Sequence, residues 1–389
     1  MTAPHIIGWA HTRFGRSESP DVEALIAEVS IAAVADAGLA PSDVDLIAVG
    51  VFNNGFSRQG FEGALVGAGQ PDLALVPSSH VENACATGSA ALYTALDHLQ
   101  AGRGRVALVV GAEKMTATPN DDVNDILLSG LHRATEADAG SFAGVFAGLA
   151  DRYADRYGDP HDAMARIAAK NHRNGVDNPY AHLRRDLGFD FCASPSEKNP
   201  TVAGRLLRTD CSLVSDGAAA LVVALPDVAA TARRSVRIVG RAHANDHLAI
   251  ARRADALAFD GAARAFRGAL AEAGVTLDDL DLLETHDCFT IAELLQYEAF
   301  GLAAPGKGAE VLAEGRTERD GLLPVNRSGG LKAKGHPLGA TGVSQHVMAA
   351  LQLTGEAGGM QLPAADRAAV FNMGGAAVAN YATVLESVR

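Results

Sequence analysis

The sequence contains three short segments whose residue types could support nucleophilic acyl transfer. The first, "VENACATGSAAL", places Cys85 directly before an alanine-rich helix. Unpaired backbone N–H groups and the helix dipole favour a thiolate at such a position and predict a lowered pKa. Ala84, Ala86 and Gly88 leave room for an acyl group to approach. The alternative interpretation is that Cys85 is a small buried hydrophobic residue, which is the commoner role of a free cysteine.

Two later segments supply candidate bases and a second thiol. "NRSGGLKAKGHPLGATG" holds His336 in a glycine-rich loop before a helix, a suitable place for a general base. "LLETHDCFTIAELL" ends an apolar strand with His286, Asp287 and Cys288, at the edge where open α/β sheets bind ligands. A purely structural His336 and a strand-end turn capped by Asp287 are the alternatives. The cap explains the aspartate but neither of its neighbours.

An internal repeat indicates how these segments are positioned. "ADAGLAPSDVDL" at residues 35–46 matches "AEAGVTLDDLDL" at residues 271–282, with both helix-ending glycines in register. Residues 86–102 match residues 340–358 in the same way, and an apolar strand follows each copy. Two matches in the same chain order predict a duplicated α/β unit.

The repeat predicts that the reactive segments share one pocket. The helix entrances at Cys85 and at Pro337 take related positions in the two halves, so the fold should bring them close together. In the same register, the polar cluster that begins at His286 lies opposite Gly50-Val51-Phe52 of the first half. Polar residues at this position in the second half alone are expected if that half carries a functional site there.

The pattern of elements predicts a large α/β protein with an insertion. A chain of 389 residues exceeds the roughly 250–300 residues that one hydrophobic core supports, and helices alternate with apolar strands as in βαβ units. Residues 116–204 are polar, contain scattered Pro and Asn, and have no counterpart in the second half. We therefore expect a loop domain at 116–204, an N-terminal half at 1–115 plus 205–250, and a C-terminal half at 251–389.

Composition excludes several functional classes. A net charge of −13 argues against a general nucleic-acid surface, and no apolar run is long enough for a membrane span. The N-terminus lacks the pattern of a secretory signal, so we expect a cytoplasmic protein. The four cysteines form no CxxC pair, which predicts free thiols, neither a disulfide framework nor a metal site; Cys192 and Cys211 are expected to be structural.

The segments "NACATGSAAL", "HDCF" and "GGLKAKGHPLGATG", with the glycine turn "NMGGAAVA", resemble the thiolase superfamily. The resemblance is specifically to sterol-carrier-protein-2-type thiolases and bacterial acetyl-CoA acetyltransferase-like relatives, and it covers essentially the whole chain. It implies an α/β thiolase fold with five layers, α-β-α-β-α, made of two duplicated halves with an inserted loop domain that binds coenzyme A. It further implies a homodimer or homotetramer that holds no permanent cofactor and takes coenzyme A and acyl-CoA as substrates.

The resemblance also implies a role for each reactive residue. Cys85 resembles the nucleophile that becomes acylated, and His336 the base that activates it. Cys288 resembles the acid/base at the α-carbon of the second acyl-CoA, while His286 would help His336 hold the thioester oxygen of that substrate. Gly374 resembles the residue whose backbone N–H, with that of Cys85, forms the oxyanion hole. These groups meet the needs of Claisen condensation and its reverse.

One motif departs from the usual thiolase pattern. Most thiolases carry a second reactive cysteine in a CxG motif, and here that position reads Asn372-Met373-Gly374. Asparagine cannot transfer the proton. In the sterol-carrier-type branch the HDCF cysteine takes over this role, so the departure agrees with the subfamily.

Coenzyme A carries phosphates, so this acidic chain should supply local positive charge. Exposed basic residues are more often simply solvated. The segment "LVSDGAAAL" resembles the family's loop near the pantetheine arm and makes Ser215 a candidate contact. The candidate phosphate-binding residues are Arg184, Arg185, Lys198, Arg205 and Arg208.

Three functional hypotheses follow. The first is a thiolase that cleaves 3-oxoacyl-CoA or runs the reverse condensation. The second is an acyltransferase or carbon–carbon lyase of the same fold that acts with a small partner protein; loss of the cysteine pair would indicate it, and both cysteines are present. The third is a non-enzymatic acyl-CoA carrier, which four reactive residues in register disfavour.

Overall fold

The structure is a computed structural model that describes residues 3–388. The strands in this range are β1 (His5–His11), β2 (Leu46–Gly50), β3 (Ser78–Val81), β4 (Val106–Glu113), β5 (Thr201–Ala203), β6 (Leu206–Leu207), β7 (Gly217–Ala224), β8 (Val236–Asn245), β9 (Leu282–Glu284), β10 (Arg367–Gly374) and β11 (Ala379–Ser387). The helices are α1 (Val22–Asp36), α2 (Glu62–Gly69), α3 (Thr87–Gln100), α4 (Asn120–Leu128), α5 (Arg133–Glu136), α6 (Phe142–Tyr157), α7 (His161–Gly175), α8 (Phe189–Ala193), α9 (Pro226–Ala229), α10 (Asp260–Ala273), α11 (Thr290–Ala299), α12 (Gly308–Ala313), α13 (Gly330–Lys334) and α14 (Leu338–Leu353).

Nine strands form one continuous hydrogen-bonded sheet in the order β3-β2-β4-β7-β1-β8-β11-β10-β9. The first five belong to the N-terminal half and the last four to the C-terminal half. Within the sheet, as far as the described residues show, the two halves are joined by the pairing of β1 with β8 over two residue pairs, His5 with Arg237 and Ile6 with Val236. Each half mixes parallel and antiparallel pairs, and β10 runs parallel to β9 but antiparallel to β11.

Side chains alternate between two cores along the buried strands. Ala218, Ala220 and Val222 of β7 pack with α1 in an outer core, whereas Leu221 and Val223 pack with α3 and α14. The core around α3 and α14 also contains residues of β8, β10 and β11, so these two helices lie between the two halves of the sheet. Helices α10 and α11 cover the other face of the C-terminal half. The layers are therefore α-β-α-β-α, as expected from the resemblance.

The internal repeat of the sequence is also visible in the structure, as equivalent hydrogen bonds in the two halves. The Asp45 carboxylate accepts the backbone N–H groups of Arg105 and Val106 at 2.7 and 3.0 Å, before β4. The Asp281 carboxylate accepts those of Asp366 and Arg367 at 2.7 and 2.8 Å, before β10. Matching aspartates thus join the same two elements in each half, which explains why they stay in register.

The boundary expected at residue 250 needs a correction. Strand β8 (Val236–Asn245) pairs with β11 along most of its length, so it belongs with the C-terminal half although it lies within 205–250. The sequence match did not include this strand, which left its partner undetermined. Residues 116–204 supply α4 to α8 and β5, and their role as a separate loop domain remains a prediction. None of the helices within residues 3–388 is both long and apolar enough to cross a membrane.

Candidate active site

Cys85 lies in a tight turn between β3 and α3. The turn is closed by the Thr87 side chain, which accepts the backbone N–H of Asn83 at 2.8 Å. Ala84 adopts a left-handed conformation with φ of 50°, which costs a residue with a Cβ about 1 kcal/mol. Such strain concentrates at functional sites because the surrounding contacts must hold it in place. Here it fixes the direction of the Cys85 side chain.

Burial determines the protonation state of the Cys85 thiol. The residue is 7% exposed, and desolvation raises the pKa of its thiol to about 12, although its own N–H and that of Gly375 favour the thiolate. The predicted lowering of the pKa at this helix entrance is therefore wrong in sign. At neutral pH the thiol is protonated and needs a base.

His336 is the candidate for the base that accepts the Cys85 proton. It follows α13 and precedes the first turn of α14, as predicted, and it lines the same cavity as Cys85. Its Nδ1 lies 2.6 Å from the Thr341 hydroxyl oxygen, and that hydroxyl donates to the Pro337 carbonyl at 2.9 Å. The hydroxyl proton is thus committed, so Nδ1–H must donate and Nε2 keeps its lone pair. Burial lowers the pKa of His336 to about 3, which keeps the ring neutral and able to accept a proton.

His286 is more deeply buried than His336. It is completely buried, and its Nδ1 is 3.0 Å from the amide nitrogen of Asn372 on β10. Burial first, and then the neighbouring His336, lower the pKa of His286 well below its usual value. Gln296 holds the His286 backbone by accepting its N–H at 3.2 Å and donating to its carbonyl at 2.8 Å. Both imidazoles are therefore neutral and rigidly held.

The two histidines and Cys85 meet at one point. One ligand atom of each lies within 4.8 Å of the others, and the two rings meet nearly at right angles with centroids 5.1 Å apart. Thiol and imidazole groups could also bind a transition metal. Since the Asn372 amide nitrogen faces Nδ1 of His286, the proton of that neutral ring is on Nε2, and the ring offers no free lone pair to a metal. The arrangement therefore fits proton transfer better than ligation.

Cys288 faces the same cavity, which has a volume of about 240 Å³ and a largely apolar wall. Burial, and then the nearby Cys85, raise the pKa of Cys288 well above its usual value. Phe289, the next residue, stacks on Phe146 of α6 with ring centroids 4.4 Å apart. Phe142 of the same helix lines the cavity, so residues of the insertion form one wall of the site.

Asp287 connects the loop that carries His286 and Cys288 to helix α13. Its carboxylate accepts the backbone N–H groups of Leu331 and Lys332 at 2.6 and 3.2 Å and the Asn171 amide at 2.7 Å. Burial and the neighbouring Glu293 raise its pKa. Asp287, which the sequence suggested as a helix cap, is thus part of a buried hydrogen-bond network. This network fixes His286 and Cys288 relative to α13, the helix that precedes His336.

The Cys85 thiol has a backbone donor, because the N–H of Gly375 hydrogen-bonds it. The oxyanion-hole role that the resemblance implies for the N–H of Gly374 remains a prediction. Gly374 packs directly on the Cys85 turn, where a Cβ would collide with the Asn83 carbonyl oxygen. Both glycines are needed, since Gly375 adopts φ of 63°.

The predicted coenzyme A contacts lie away from the cavity. Ser215 is completely buried and its hydroxyl is 3.0 Å from Nδ1 of His182, so it is not placed to contact a ligand; Ser212, Leu213 and Val214 line the cavity instead. Arg205 forms ion pairs with two aspartates. The basic residues that remain exposed candidates for the phosphates are Arg184, Arg185, Lys198 and Arg208.

Sequence reasoning missed several residues that shape the site. Thr341 and Gly375 lie in motifs that were recognised, but only the structure shows that Thr341 contacts Nδ1 of His336 and that the Gly375 N–H contacts the Cys85 thiol. Cys211, expected to be structural, lines the cavity beside Cys288. Glu113 accepts the backbone N–H groups of Phe52, Asn53 and Gly339. Its position at the end of β4 was the available signal, because strand ends form the sites of α/β folds.

The fold and site define a duplicated α/β protein in which a buried cysteine, two neutral histidines and a second cysteine lie together at one cavity. Family models agree: the thiolase N-terminal domain matches residues 5–187, and the thiolase C-terminal domain-like model matches residues 242–387. This chain belongs to the thiolase family.

Two relatives span nearly all of the chain. It is 34% identical over 373 residues to an acetyl-CoA acetyltransferase of Methanothermobacter thermautotrophicus, covering 95% of this chain and 96% of the relative. It is 33% identical over 390 residues to human sterol carrier protein 2, covering 95% of this chain and 69% of the relative. The resemblance to both thiolase groups is confirmed.

Solved structures of two other proteins share the fold. An Ltp2-ChsH2(DUF35) aldolase superposes with a TM-score of 0.84 at 22% identity, covering 100% of this chain and 98% of that one. An acetyl-CoA acetyltransferase from Syntrophomonas wolfei superposes with a TM-score of 0.74 at 18% identity, covering 99% of both chains. At these identities the likeness concerns the fold alone.

Proposed function

We propose that this chain is an acyltransferase of the thiolase type. It cleaves 3-oxoacyl-CoA with coenzyme A, or runs the reverse Claisen condensation, through an acyl-Cys85 intermediate. The observation that carries the proposal is the meeting of Cys85, His336 and Cys288 in one apolar cavity. The relative named acetyl-CoA acetyltransferase, similar along the whole chain, supports the same reaction class.

The proposed reaction starts from neutral groups. Nε2 of His336 takes the thiol proton of Cys85, and the thiolate attacks the 3-oxo carbon. The backbone N–H groups of Cys85 and Gly374, the pair that the resemblance implies, stabilise the resulting oxyanion. The bond between C2 and C3 then breaks, and the Cys288 thiol protonates C2 of the acetyl-CoA enolate. Coenzyme A attacks acyl-Cys85, its thiol proton replaces the one Cys288 gave up, and the protonated His336 returns its proton to the departing Cys85 sulfur.

The test is thiolysis of acetoacetyl-CoA by coenzyme A with the full chain. We expect wild-type protein to form acetyl-CoA and the Cys85→Ala variant to lose this activity. Cys192, buried outside the cavity, gives the matched control, since Cys192→Ala removes a thiol without touching the site. Activity in Cys85→Ala equal to that of wild type would contradict the proposal.

The assembly and location are also proposals. We infer a homodimer or homotetramer in the cytoplasm, with no permanently bound cofactor, because thiolases of this type are built in this way. A partner-dependent acyltransferase or lyase remains the alternative, and the fold neighbour that is an Ltp2-ChsH2(DUF35) aldolase supports it at the level of fold. Thiolysis by the isolated chain distinguishes the two, because the alternative requires an added small protein.

A further inference from the structure

We propose that Asn372 is a positioning residue that fixes the tautomer of His286, so that His286 presents an Nε2–H donor to the thioester oxygen of the second acyl-CoA. This inference rests on the proposed function and adds a role for the residue that stands where most thiolases have a second cysteine. It starts from two contacts made by one amide nitrogen.

The first contact determines how the Asn372 amide is oriented. Its nitrogen lies 3.0 Å from the backbone carbonyl oxygen of Cys85. A carbonyl oxygen can only accept a hydrogen bond, so the NH₂ group must face it. A flipped amide would place its oxygen against the Cys85 carbonyl oxygen, so that two acceptors would face each other in a buried site.

The second contact then determines the tautomer of His286. The same amide nitrogen lies 3.0 Å from His286 Nδ1. Because the amide offers only N–H groups there, Nδ1 must be the unprotonated nitrogen, and the proton of the neutral ring is on Nε2. The Gln296 side chain holds the His286 backbone on both sides, and the contact with Asn372 holds the ring itself.

The neighbouring His336 is fixed in the opposite tautomer by Thr341. The site therefore contains one imidazole with a free lone pair and one with a free N–H. Nε2 of each ring is buried and has no hydrogen-bond partner among the described residues. A buried donor without a partner is costly, and a substrate oxygen is the group that would satisfy it. One ring thus acts as base while the other stabilises negative charge on the thioester oxygen.

The experiment compares two half-reactions in wild type and in Asn372→Asp, which keeps the side-chain volume but removes the amide donor. Exchange of the α-hydrogens of acetyl-CoA with D₂O requires the enolate, and hence the His286 donor. Exchange of acetyl between acetyl-CoA and labelled coenzyme A requires Cys85 and His336 only. We expect the variant to lose about 100-fold in the first rate, the effect of removing one oxyanion donor, with a much smaller loss in the second.

Asn380→Asp is the matched control, because Asn380 is another buried asparagine whose amide donates only to backbone carbonyls. It should not change the ratio of the two rates. Equal losses in both half-reactions of Asn372→Asp, or no loss, would overturn the inference. Nitrogen-15 chemical shifts of His286 in wild type test the tautomer directly, and a protonated Nδ1 would overturn it as well. If wild type catalyses neither exchange, the proposed function fails instead.

Discussion

The rings of His286 and His336 meet edge to face, with centroids 5.1 Å apart, although they come from two different loops. Two imidazolium cations could not share such a buried position, and burial lowers the pKa of both rings. The Cys85 thiol beside them has a raised pKa. In the resting site all three groups are therefore neutral, and charge appears only when a proton moves between them.

The neutral resting state predicts the pH dependence of Cys85 alkylation. Since burial raises the pKa of the thiol to about 12, the thiolate fraction should grow about tenfold for each pH unit. Iodoacetamide labelling of Cys85, followed by peptide mass spectrometry, should accelerate continuously from about pH 7 to about pH 10. A rate that levels off near neutral pH would mean that Cys85 and His336 form an ion pair at rest.

Thr341 should control activity through the tautomer of His336. In Thr341→Val the Nδ1–H loses its acceptor, so the ring can reverse its tautomer and present N–H to Cys85. We expect kcat/KM for thiolysis to fall about 10- to 100-fold, part of the usual contribution of a general base. Thr354→Val is the control, because Thr354 bonds a carbonyl four residues back in the same way, at the far end of α14. Equal losses in both variants would assign the effect to helix stability.

Cys288 should be needed for chemistry at carbon. In Cys288→Ala no thiol remains to move a proton at C2, so exchange of the acetyl-CoA α-hydrogens with D₂O should fall about 10²- to 10⁴-fold. Labelling of Cys85 by iodoacetamide should persist, since the nucleophile and its base are intact. Undiminished hydrogen exchange in this variant would assign the acid/base role to another group.

Gly330 should be sensitive to a single added methyl group. It adopts φ of 58°, and a Cβ there would collide with the Asp287 carboxylate that joins the loop of His286 and Cys288 to α13. Gly330→Ala should lower the free energy of unfolding by about 3 kcal/mol, through both backbone strain and overpacking. Gly102 also has positive φ but open space around it, so Gly102→Ala should cost only about 1 kcal/mol. Similar losses in urea denaturation would show that the contact with Asp287 is unimportant.

The duplicated fold could be predicted from the sequence because matching residues make the same hydrogen bonds in both halves. Asp45 and Asp281 each accept the backbone N–H groups at the start of a strand, and this shared contact preserves a sequence pattern that survives divergence. Strand β8 left no such pattern. Its membership in the C-terminal half depends on pairing with β11, a contact between distant parts of the chain.

The site was predictable in its residue types but not in its electrostatics. Cys85, His336 and Cys288 were recognised and do meet in one cavity. The helix-entrance argument gave the wrong sign for the thiol pKa because burial outweighs the backbone N–H groups, and burial is a property of the assembled fold. Asn372 was noted only as a missing cysteine, since its contacts with Cys85 and His286 join three separate segments.

The most direct test of the account is the intact mass of the protein after brief mixing with acetoacetyl-CoA, for wild type, Cys85→Ala and Cys192→Ala. The account predicts one covalent acetyl group on wild type and on Cys192→Ala, and none on Cys85→Ala. An adduct that persists in Cys85→Ala, or no adduct on wild type, would contradict the assignment of Cys85 as the acylated nucleophile.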